Sequence, residues 1–347
     1  MPARPATGLA GSRKFAKISQ PRLHNTLRRE RLFSLLDGLR ERHAVLWIAS
    51  PPGAGKTSLA ASYLAEKAIP AVWCQIDQGD ADAATLFFFL AEAIKDTGPA
   101  LPWNVAEQGA TGFERLFFRD FYARLPAGAV VVLDNVHEFD WTTSGCLLEI
   151  ALSEVPEGVT VLALSRDAPP PRLSRLAVSG QLAEIGWNDL RFDCEETRAL
   201  LERSGTFEAD VASWNELVDG WVTGLVMLQS LPGLASRPGM PSMEGREAVF
   251  RYFAGEIFER LPEHSRRLLM LLSHLPAVTA EDAEKLTGDK SASTLLHSLY
   301  RSRLFVERRG ADSHIFSFHA LFREFLQHEA AAQLGAADSA LWRERAA

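Results

Sequence analysis

The chain has 347 residues, of which 47% are hydrophobic and 23% charged, and its formal net charge is −7. Such a composition builds packed cores, which excludes a wholly disordered chain, a collagen and a coiled coil. The three cysteines are widely spaced, which excludes a disulfide framework and a CxxC zinc site. No apolar run approaches the roughly 18 residues needed to cross a bilayer, and the first residues lack the apolar stretch of a secretory signal. We therefore expect a cytoplasmic protein without a membrane segment.

The charge is unevenly distributed along the chain. Residues 1–31 contain eight Lys or Arg and one acidic residue, so they carry a net +7 and leave −14 for the remainder. Because affinity for a nucleic-acid backbone comes largely from Lys and Arg, the acidic remainder is a poor general binder of DNA. We interpret residues 1–16 as a basic flexible tail.

Apolar runs of strand length alternate with helical segments in the first half of the chain. The runs are Ala44–Ser50, Ala71–Asp77, Ala127–Asn135 and Gly158–Arg166. Runs without polar alternation indicate strands that are buried on both faces. Their alternation with helices predicts a parallel sheet covered by helices on both faces, which is an α/β architecture typical of nucleotide binding.

The segment that follows the first predicted strand has the pattern of a phosphate-binding loop. Its residues are Ser50, Pro51, Pro52, Gly53, Ala54, Gly55, Lys56, Thr57 and Ser58. The glycines let backbone N–H groups turn towards phosphates, the lysine supplies charge to the β- and γ-phosphates, and the threonine hydroxyl is a ligand for Mg²⁺. Ser50 stands where the usual GxxxxGK[ST] pattern has its first glycine. We assign these residues to nucleotide binding and predict a P-loop NTPase domain.

Three residues near the carboxyl ends of the predicted strands are candidates for catalysis. Asp134 ends the third strand, where it can hold Mg²⁺ together with Thr57. Its neighbour is Asn135, whose amide cannot act as a base, and Glu138 is the nearest carboxylate. The pattern therefore predicts at most a slow ATPase. Arg166 ends the fourth strand and is expected either to sense the γ-phosphate or to lie on the surface.

The sequence after Pro171 predicts helices and no further strand of comparable burial. Helices are predicted at 195–205, 215–230, 246–261, 264–274, 280–286 and 291–301. The segment 231–245 is rich in Pro, Gly and Ser, which is typical of a linker. A hairpin with its tip at 309–312 and a closing helix follow, and this order is that of a winged helix. His319 begins the closing helix, and the residues alone favour a packed or capping histidine there.

Several short segments, taken in order, resemble the signal-transducing NTPases called STAND, and within them the MalT- and LuxR-type transcriptional regulators. The segments are KISQPRL, LRRERL, SPPGAGKT, VWCQIDQGDAD, LDNVHEF, LSRDAPPPRLSRL, LAEIGWNDLRF, GWVTGL, FAGEIFERLP and FHALFREFL. Each segment is weak alone, whereas their order and spacing are specific. The resemblance covers about residues 17–330.

This resemblance implies an α/β P-loop NTPase followed by an α-helical lid and a winged-helix domain. The predicted boundaries are a basic tail at 1–16, the NTPase at 17–185, the lid at 186–235, a linker at 236–245, the winged helix at 246–332 and a C-terminal tail at 333–347. Such a module closes around ADP and opens with ATP and an inducer. Arg29 in LRRERL would border the base, GWVTGL would pack the lid on the nucleotide, and His319 would contact ADP. The preference for adenine rests on the resemblance alone, since the sequence has no NKxD motif that would recognise guanine.

The resemblance also implies partners. They are a small-molecule or protein inducer and, through ATP-dependent self-association, further copies of the chain. Regulators of this type continue into a sensor and a C-terminal DNA-binding domain, so we expect either a fragment of a longer regulator or a stand-alone switch. The internal winged helix offers few groups that read bases, and DNA binding is expected only from such a C-terminal domain.

Three functions are therefore in competition. The first is a nucleotide-gated regulatory switch, which the sequence favours. The second is a free-standing P-loop ATPase or phosphotransferase, for which Glu138 is the only base on offer. The third is a DNA-binding module that acts through the winged helix.

Overall fold

The computed structural model describes residues 15–23, 26–95, 110–142, 144–203, 210–229, 243–301, 305–309 and 315–334. Most of the predicted basic tail, residues 236–242 of the predicted linker and the C-terminal tail beyond residue 334 lie outside these ranges. Within them, no helix has both the length and the apolar character that a membrane span requires.

The first part of the chain folds into a five-stranded parallel sheet flanked by helices. The strands are β1 Val45–Ala49, β2 Ala71–Gln75, β3 Val130–Asp134, β4 Thr160–Ser165 and β5 Leu182–Ile185. They lie in the order β2-β3-β4-β1-β5, and every neighbouring pair is parallel. The helices are α1 Glu30–Arg40, α2 Lys56–Glu66, α3 Ala83–Ala93, α4 Ala110–Ala123, α5 Gly145–Ser153, α6 Ser174–Val178 and α7 Trp187–Leu190.

The central strands are mostly apolar because helices cover both faces of the sheet. Every residue of β1, β3 and β4 is buried. Alternate side chains of one strand enter opposite cores: Trp47 packs in the core on one face, and Ile48 packs in the core on the other. The four predicted strands and the parallel sheet are confirmed.

A fifth strand that the sequence pattern did not predict, β5, follows Pro171 and pairs with β1, although it is less buried than the central strands. Its Leu182 lies opposite Val45, and Ile185 lies opposite Ile48. The strand has only four residues, and only its two end residues are buried. An edge strand with one polar, exposed position has no long apolar run, so the pattern that revealed the central strands does not reveal this one.

The second part of the chain is mainly helical and ends in a small antiparallel sheet. Its helices are α8 Cys194–Arg203, α9 Val211–Val218, α10 Val222–Gln229, α11 Met243–Phe253, α12 Glu263–Leu272, α13 Ala280–Thr287, α14 Ser291–Arg301 and α15 Ala320–Gln333. Its strands are β6 Val278–Thr279, β7 Val306–Arg309 and β8 Ile315–Phe318, in the order β6-β8-β7. The winged-helix order is confirmed, and the tip of the predicted hairpin lies outside the described residues.

Two helix predictions in this part need correction. The single helix predicted at 215–230 is two helices, because Asp219 and Gly220 adopt the left-handed conformation, with φ of 47° and 68°. Since apolar residues continue on both sides of this turn, the sequence pattern does not reveal the break. The helix predicted to begin at residue 246 begins three residues earlier, because α11 starts at Met243.

The helical part has one hydrophobic core rather than two. Residues of the predicted lid, such as Trp214 and Trp221, belong to the same buried cluster as Phe253 and Phe322 of the predicted winged helix. Trp221 stacks on Phe253 with ring centroids 5.4 Å apart, and the edge of Phe305 meets it at 5.0 Å. The boundary predicted between lid and winged helix therefore crosses a shared core, and it stays a prediction.

Candidate functional site

A cavity of about 540 Å³ lies at the carboxyl ends of the central strands, where β1 leads into α2. It is lined by the phosphate loop and the start of α2, by the segments that follow β3 and β4, and by parts of the helical region. The lining residues are Thr26, Leu27, Arg29, Pro52–Leu59, Ser62, Asn135, His137, Arg166, Phe192, Leu200, Val222, Thr223, Val226, Met227 and Tyr252. The cavity is thus formed by the sheet and by the helical region together.

The phosphate loop is held in shape by its own lysine. Lys56 Nζ donates to the carbonyl oxygens of Ser50 and Pro51, at 2.8 and 3.1 Å, and to Ser50 Oγ at 3.2 Å. The serine that replaces the first glycine of the usual pattern is therefore a partner of the lysine. Among the predicted loop residues, Pro52–Ser58 line the cavity, whereas Ser50 and Pro51 are not in its wall.

The turn between α9 and α10 contacts the phosphate loop directly. Trp221 Nε1 donates to the carbonyl oxygen of Pro52 at 3.0 Å, and Thr223 Oγ1 donates to that of Gly53 at 2.7 Å. Gly53 has φ of 73°, and a Cβ there would lie 2.5 Å from Thr223 Oγ1. Only glycine permits this approach. A Cβ on Gly220 would lie 2.4 Å from the carbonyl oxygen of Phe192, so the turn itself also requires glycine.

Thr57 and Asp134 meet beside the loop. Thr57 Oγ1 lies 3.0 and 3.2 Å from the two carboxylate oxygens of Asp134, and the backbone N–H of Asn135 donates to the same carboxylate at 3.0 Å. Asp134 is buried, and burial raises the pKa of its carboxyl above the usual value. A hydroxyl and a carboxylate that converge in this way are donors suited to Mg²⁺, which keeps water and phosphate oxygens as its remaining ligands.

The predicted catalytic residues do not all reach the cavity. Arg166 lines it, and Asp134 adjoins it through Thr57. Glu138 is not in the cavity wall among the described residues, and its side chain is 40% exposed. Asn135 adopts the left-handed conformation, with φ of 62°, and lines the cavity itself. The roles assigned to these residues stay predictions.

His137 lines the cavity, and sequence reasoning missed it. Its Nδ1 accepts a hydrogen bond from the backbone N–H of Arg166 at 3.4 Å. Burial, together with the charges of Arg166 and Lys56, lowers the pKa of His137 to about 3, so the imidazole is neutral at physiological pH. The sequence did give one indication of this residue. A polar residue three positions after Asp134 lies within one short turn of the end of the strand, where cavity-lining residues are expected.

Arg29 lines the cavity while its guanidinium is held by helix α8. Its Nε and Nη2 donate to the two carboxylate oxygens of Glu196 at 3.1 and 2.7 Å. The guanidinium lies over the ring of Phe192, 4.2 Å from the ring centroid. Burial lowers the pKa of Arg29 from its ordinary value, while the paired carboxylate opposes that shift. The predicted contact of Arg29 with the base stays a prediction.

His319 does not line the main cavity among the described residues. It lies in the wall of a neighbouring cavity of about 280 Å³, together with Pro51, Arg191 and Arg308. Burial lowers the pKa of His319. Pro51 belongs to the phosphate loop, so this second cavity borders the loop. Its predicted contact with ADP is not tested by this arrangement.

Known proteins resemble the chain in sequence. Residues 254–338 match the family model described as the MalT winged helix domain. The chain is 31% identical over 335 residues to the HTH-type transcriptional regulator MalT of Vibrio cholerae. This alignment covers 92% of this chain and 37% of that protein. The corresponding regulator of Yersinia pestis is 27% identical over 327 residues, covering 90% of this chain and 36% of that protein. The chain thus spans little more than a third of the length of these relatives.

The fold has a counterpart among solved structures. A Walker-type ATPase of Pyrococcus abyssi superposes with a TM-score of 0.60 at 14% identity, covering 87% of this chain and 96% of that one. Together with the sequence matches, this confirms the resemblance to MalT-type regulators and the P-loop ATPase fold followed by a winged helix.

Proposed function

We propose that this chain is an ATP- and ADP-binding regulatory switch of a MalT-like transcriptional regulator. Nucleotide exchange and slow hydrolysis would control whether the molecule is open or closed. The observation that carries the proposal is Trp221, which donates to the carbonyl oxygen of Pro52 in the phosphate loop while its ring stacks on Phe253 in the core of the helical part. The loop therefore contacts that core directly, so a change in loop conformation would alter the packing of the core.

A nucleotide in the main cavity would touch the sheet region and the helical region at once. The loop N–H groups and the N-terminus of α2 are suited to phosphates. The cavity wall also includes Leu27, Phe192, Val226, Met227 and Tyr252, which are apolar or aromatic side chains suited to a base. A ligand shifts an equilibrium only by contacts that differ between the two states, and a cavity shared by the sheet and the helical region supplies such contacts.

Thr57 and Asp134 would hold Mg²⁺, with phosphate oxygens and water as its other ligands. Within the described ranges, no three His, Cys, Asp or Glu residues cluster as a metal site of their own. When bound, the ion would neutralise phosphate charge. The role of these two residues is to place it beside the start of α2.

The surroundings of Asp134 support slow hydrolysis. Asn135 occupies the neighbouring position in the cavity wall, where an amide cannot accept a proton from water. Glu138 is partly exposed and outside that wall. A free-standing ATPase or phosphotransferase would need a base in the cavity, so the arrangement favours the switch. We expect turnover of ATP well below the ~1 s⁻¹ that marks an ordinary enzyme.

The remaining expectations follow from the likeness to the MalT regulators. We propose that a small-molecule or protein inducer and ATP act together on this module, and that the triphosphate state associates with further copies. Contact with DNA would come from a part of the whole regulator other than the winged helix described here. A transcriptional regulator works where the DNA is, so we propose a cytoplasmic protein. Arg29 and His319 are proposed to contact the base and ADP.

The nucleotide content of the purified, untreated protein tests this proposal. Heat release followed by chromatography should give about one ADP per chain, because a closed switch retains its nucleotide through purification. A Lys56→Ala variant purified in parallel should be empty. An empty wild-type protein that turns over ATP faster than about 1 s⁻¹ would support the free-standing enzyme instead.

A further inference from the structure

His137 occupies a distinctive place in the cavity wall. It lies in the short turn after β3, and its Nδ1 accepts from the backbone N–H of Arg166 just after β4. It is therefore tied to the carboxyl ends of two neighbouring central strands. Its side chain is 9% exposed.

The hydrogen bond at Nδ1 fixes the tautomer of the ring. A neutral imidazole carries one proton, and a nitrogen that accepts a hydrogen bond cannot carry it. The proton of His137 is therefore on Nε2, which becomes a donor. Among the described residues this buried Nε2 has no hydrogen-bond partner. A buried donor without an acceptor is costly, so an acceptor is expected to complete the site.

The charges around His137 favour an anionic acceptor. Lys56 and Arg166 both line the same cavity, and the charges of both act on the imidazole and lower its pKa. In a phosphate-binding loop the lysine reaches the β- and γ-phosphates. His137 therefore lines the same cavity as the lysine that a phosphate-binding loop directs at the terminal phosphates.

We propose that His137 distinguishes a nucleoside triphosphate from a diphosphate, by donating its Nε2–H to an oxygen of the terminal phosphate. This inference rests on the proposed nucleotide site and names the residue within it that detects the third phosphate. His137 acts as a neutral donor, while Lys56 and Arg166 supply the positive charge.

In the diphosphate state, the partner of Nε2 would be Glu138. Glu138 Oε1 lies 3.5 Å from Nε2 without forming a hydrogen bond to it. Without a terminal phosphate, this carboxylate is the nearest acceptor for the Nε2 proton. The imidazole therefore has one anionic partner in each nucleotide state, and the exchange between them is transmitted through Nδ1 to the backbone after β4.

Two variants of the full chain separate the two ring nitrogens. In His137→Asn, the amide oxygen can replace Nδ1 as the acceptor for Arg166, but nothing replaces Nε2. In His137→Gln, the amide nitrogen can reach the position of Nε2 and donate. The probes are ADP and the β,γ-imido analogue of ATP, each with Mg²⁺, and the readout is equilibrium binding by titration calorimetry. His264→Asn, at an exposed histidine outside the cavity, is the matched control.

His137→Asn should weaken the triphosphate analogue about tenfold or more, the loss expected for one hydrogen bond to a charged oxygen, and leave ADP within about twofold of wild type. His137→Gln should retain most of the affinity for the analogue, and His264→Asn should match wild type. Equal weakening of both nucleotides, or an unchanged affinity for the analogue in His137→Asn, would overturn the inference while leaving the nucleotide site intact. Failure of the wild-type chain to bind either nucleotide would instead overturn the proposed function and this inference with it.

Discussion

The sheet region, residues 30–190, and the helical region, residues 192–330, are built in different ways. The sheet separates two cores, and each central strand is fixed by neighbours on both sides. The helical region has a single core that the predicted lid and winged helix share. Elements that share a core move together, because a packed interior resists partial displacement. We therefore expect opening to separate the helical region as one body from the sheet.

The border between the two regions includes specific polar contacts. Trp221 and Thr223 donate to carbonyl oxygens of the phosphate loop, and Arg29 pairs with Glu196. A typical hydrogen bond contributes about 1 kcal/mol net, whereas the buried cores on either side contribute far more. The difference teaches that the phosphate loop is held by the sheet, whereas the proposed switching would depend on border contacts that are weak compared with the core on either side.

The largest expected effect comes from Trp221→Ala. The substitution removes a fully buried ring that stacks on Phe253 and also removes the donor to Pro52. We expect the free energy of unfolding to fall by about 3–5 kcal/mol, as for other large-to-small changes in cores. Urea denaturation measures it. Trp221→Phe, which keeps a ring without the donor, should lose less, and a loss below about 1 kcal/mol for the alanine variant would contradict the shared core.

Next in size is the effect of Lys56→Ala on nucleotide binding. The variant removes the charge that the loop directs at the β- and γ-phosphates, and charge-assisted hydrogen bonds are worth about 1.5–3 kcal/mol each. We expect ADP and ATP to weaken by roughly 100-fold, measured by titration calorimetry. The hydrogen bonds of Lys56 to the carbonyl oxygens of Ser50 and Pro51 lie within the loop, and we expect the melting temperature in the absence of nucleotide to change little. Undiminished binding would show that the cavity is not a phosphate site.

Thr223→Val tests the border itself. It removes the hydroxyl that donates to the carbonyl oxygen of Gly53 and keeps the shape of the side chain. ADP retention should weaken by roughly fivefold, since about 1 kcal/mol is lost from the closed arrangement alone. The dissociation rate of a fluorescent ADP derivative provides the measurement. Thr287→Val removes a similar hydroxyl–carbonyl bond within the helical region and should leave the rate unchanged; the same acceleration in both variants would mean that the border has no special role.

The smallest expected effect is that of His319→Ala. This histidine and Pro51 of the phosphate loop line the same neighbouring cavity, so its removal is expected to act at the border of the loop. We expect a few-fold weakening of ADP and a smaller change for ATP, measured by calorimetry on both nucleotides. His328→Ala, an exposed position on the same helix, is the control. Equal effects on ADP and ATP would remove His319 as a sensor of the diphosphate state.

The sequence predicted the sheet region better than the helical region. The central strands are apolar because they are buried on both faces, so their signal is local and strong. The edge strand β5 was not predicted, because its polar, exposed position interrupts the apolar run. In the helical region, the break at Asp219 and Gly220 was missed because a left-handed turn leaves the apolar pattern intact on both sides. The shared core was also not predicted. The spacing of apolar residues shows which face of a helix is buried, but it does not show which other element covers that face.

The sequence by itself determined the phosphate loop, the parallel sheet and the winged-helix order, because these depend on backbone conformation and burial over a few consecutive residues. Only the tertiary structure decided which polar residues face the cavity. Glu138 was the expected base, yet Asn135 and His137 line the cavity instead. Asn135, in its left-handed conformation, sets the direction of the turn after β3. Which side of such a turn faces the cavity depends on the packing of neighbouring strands. Within the turn, adjacent residues such as His137 and Glu138 can therefore differ in whether they line the cavity.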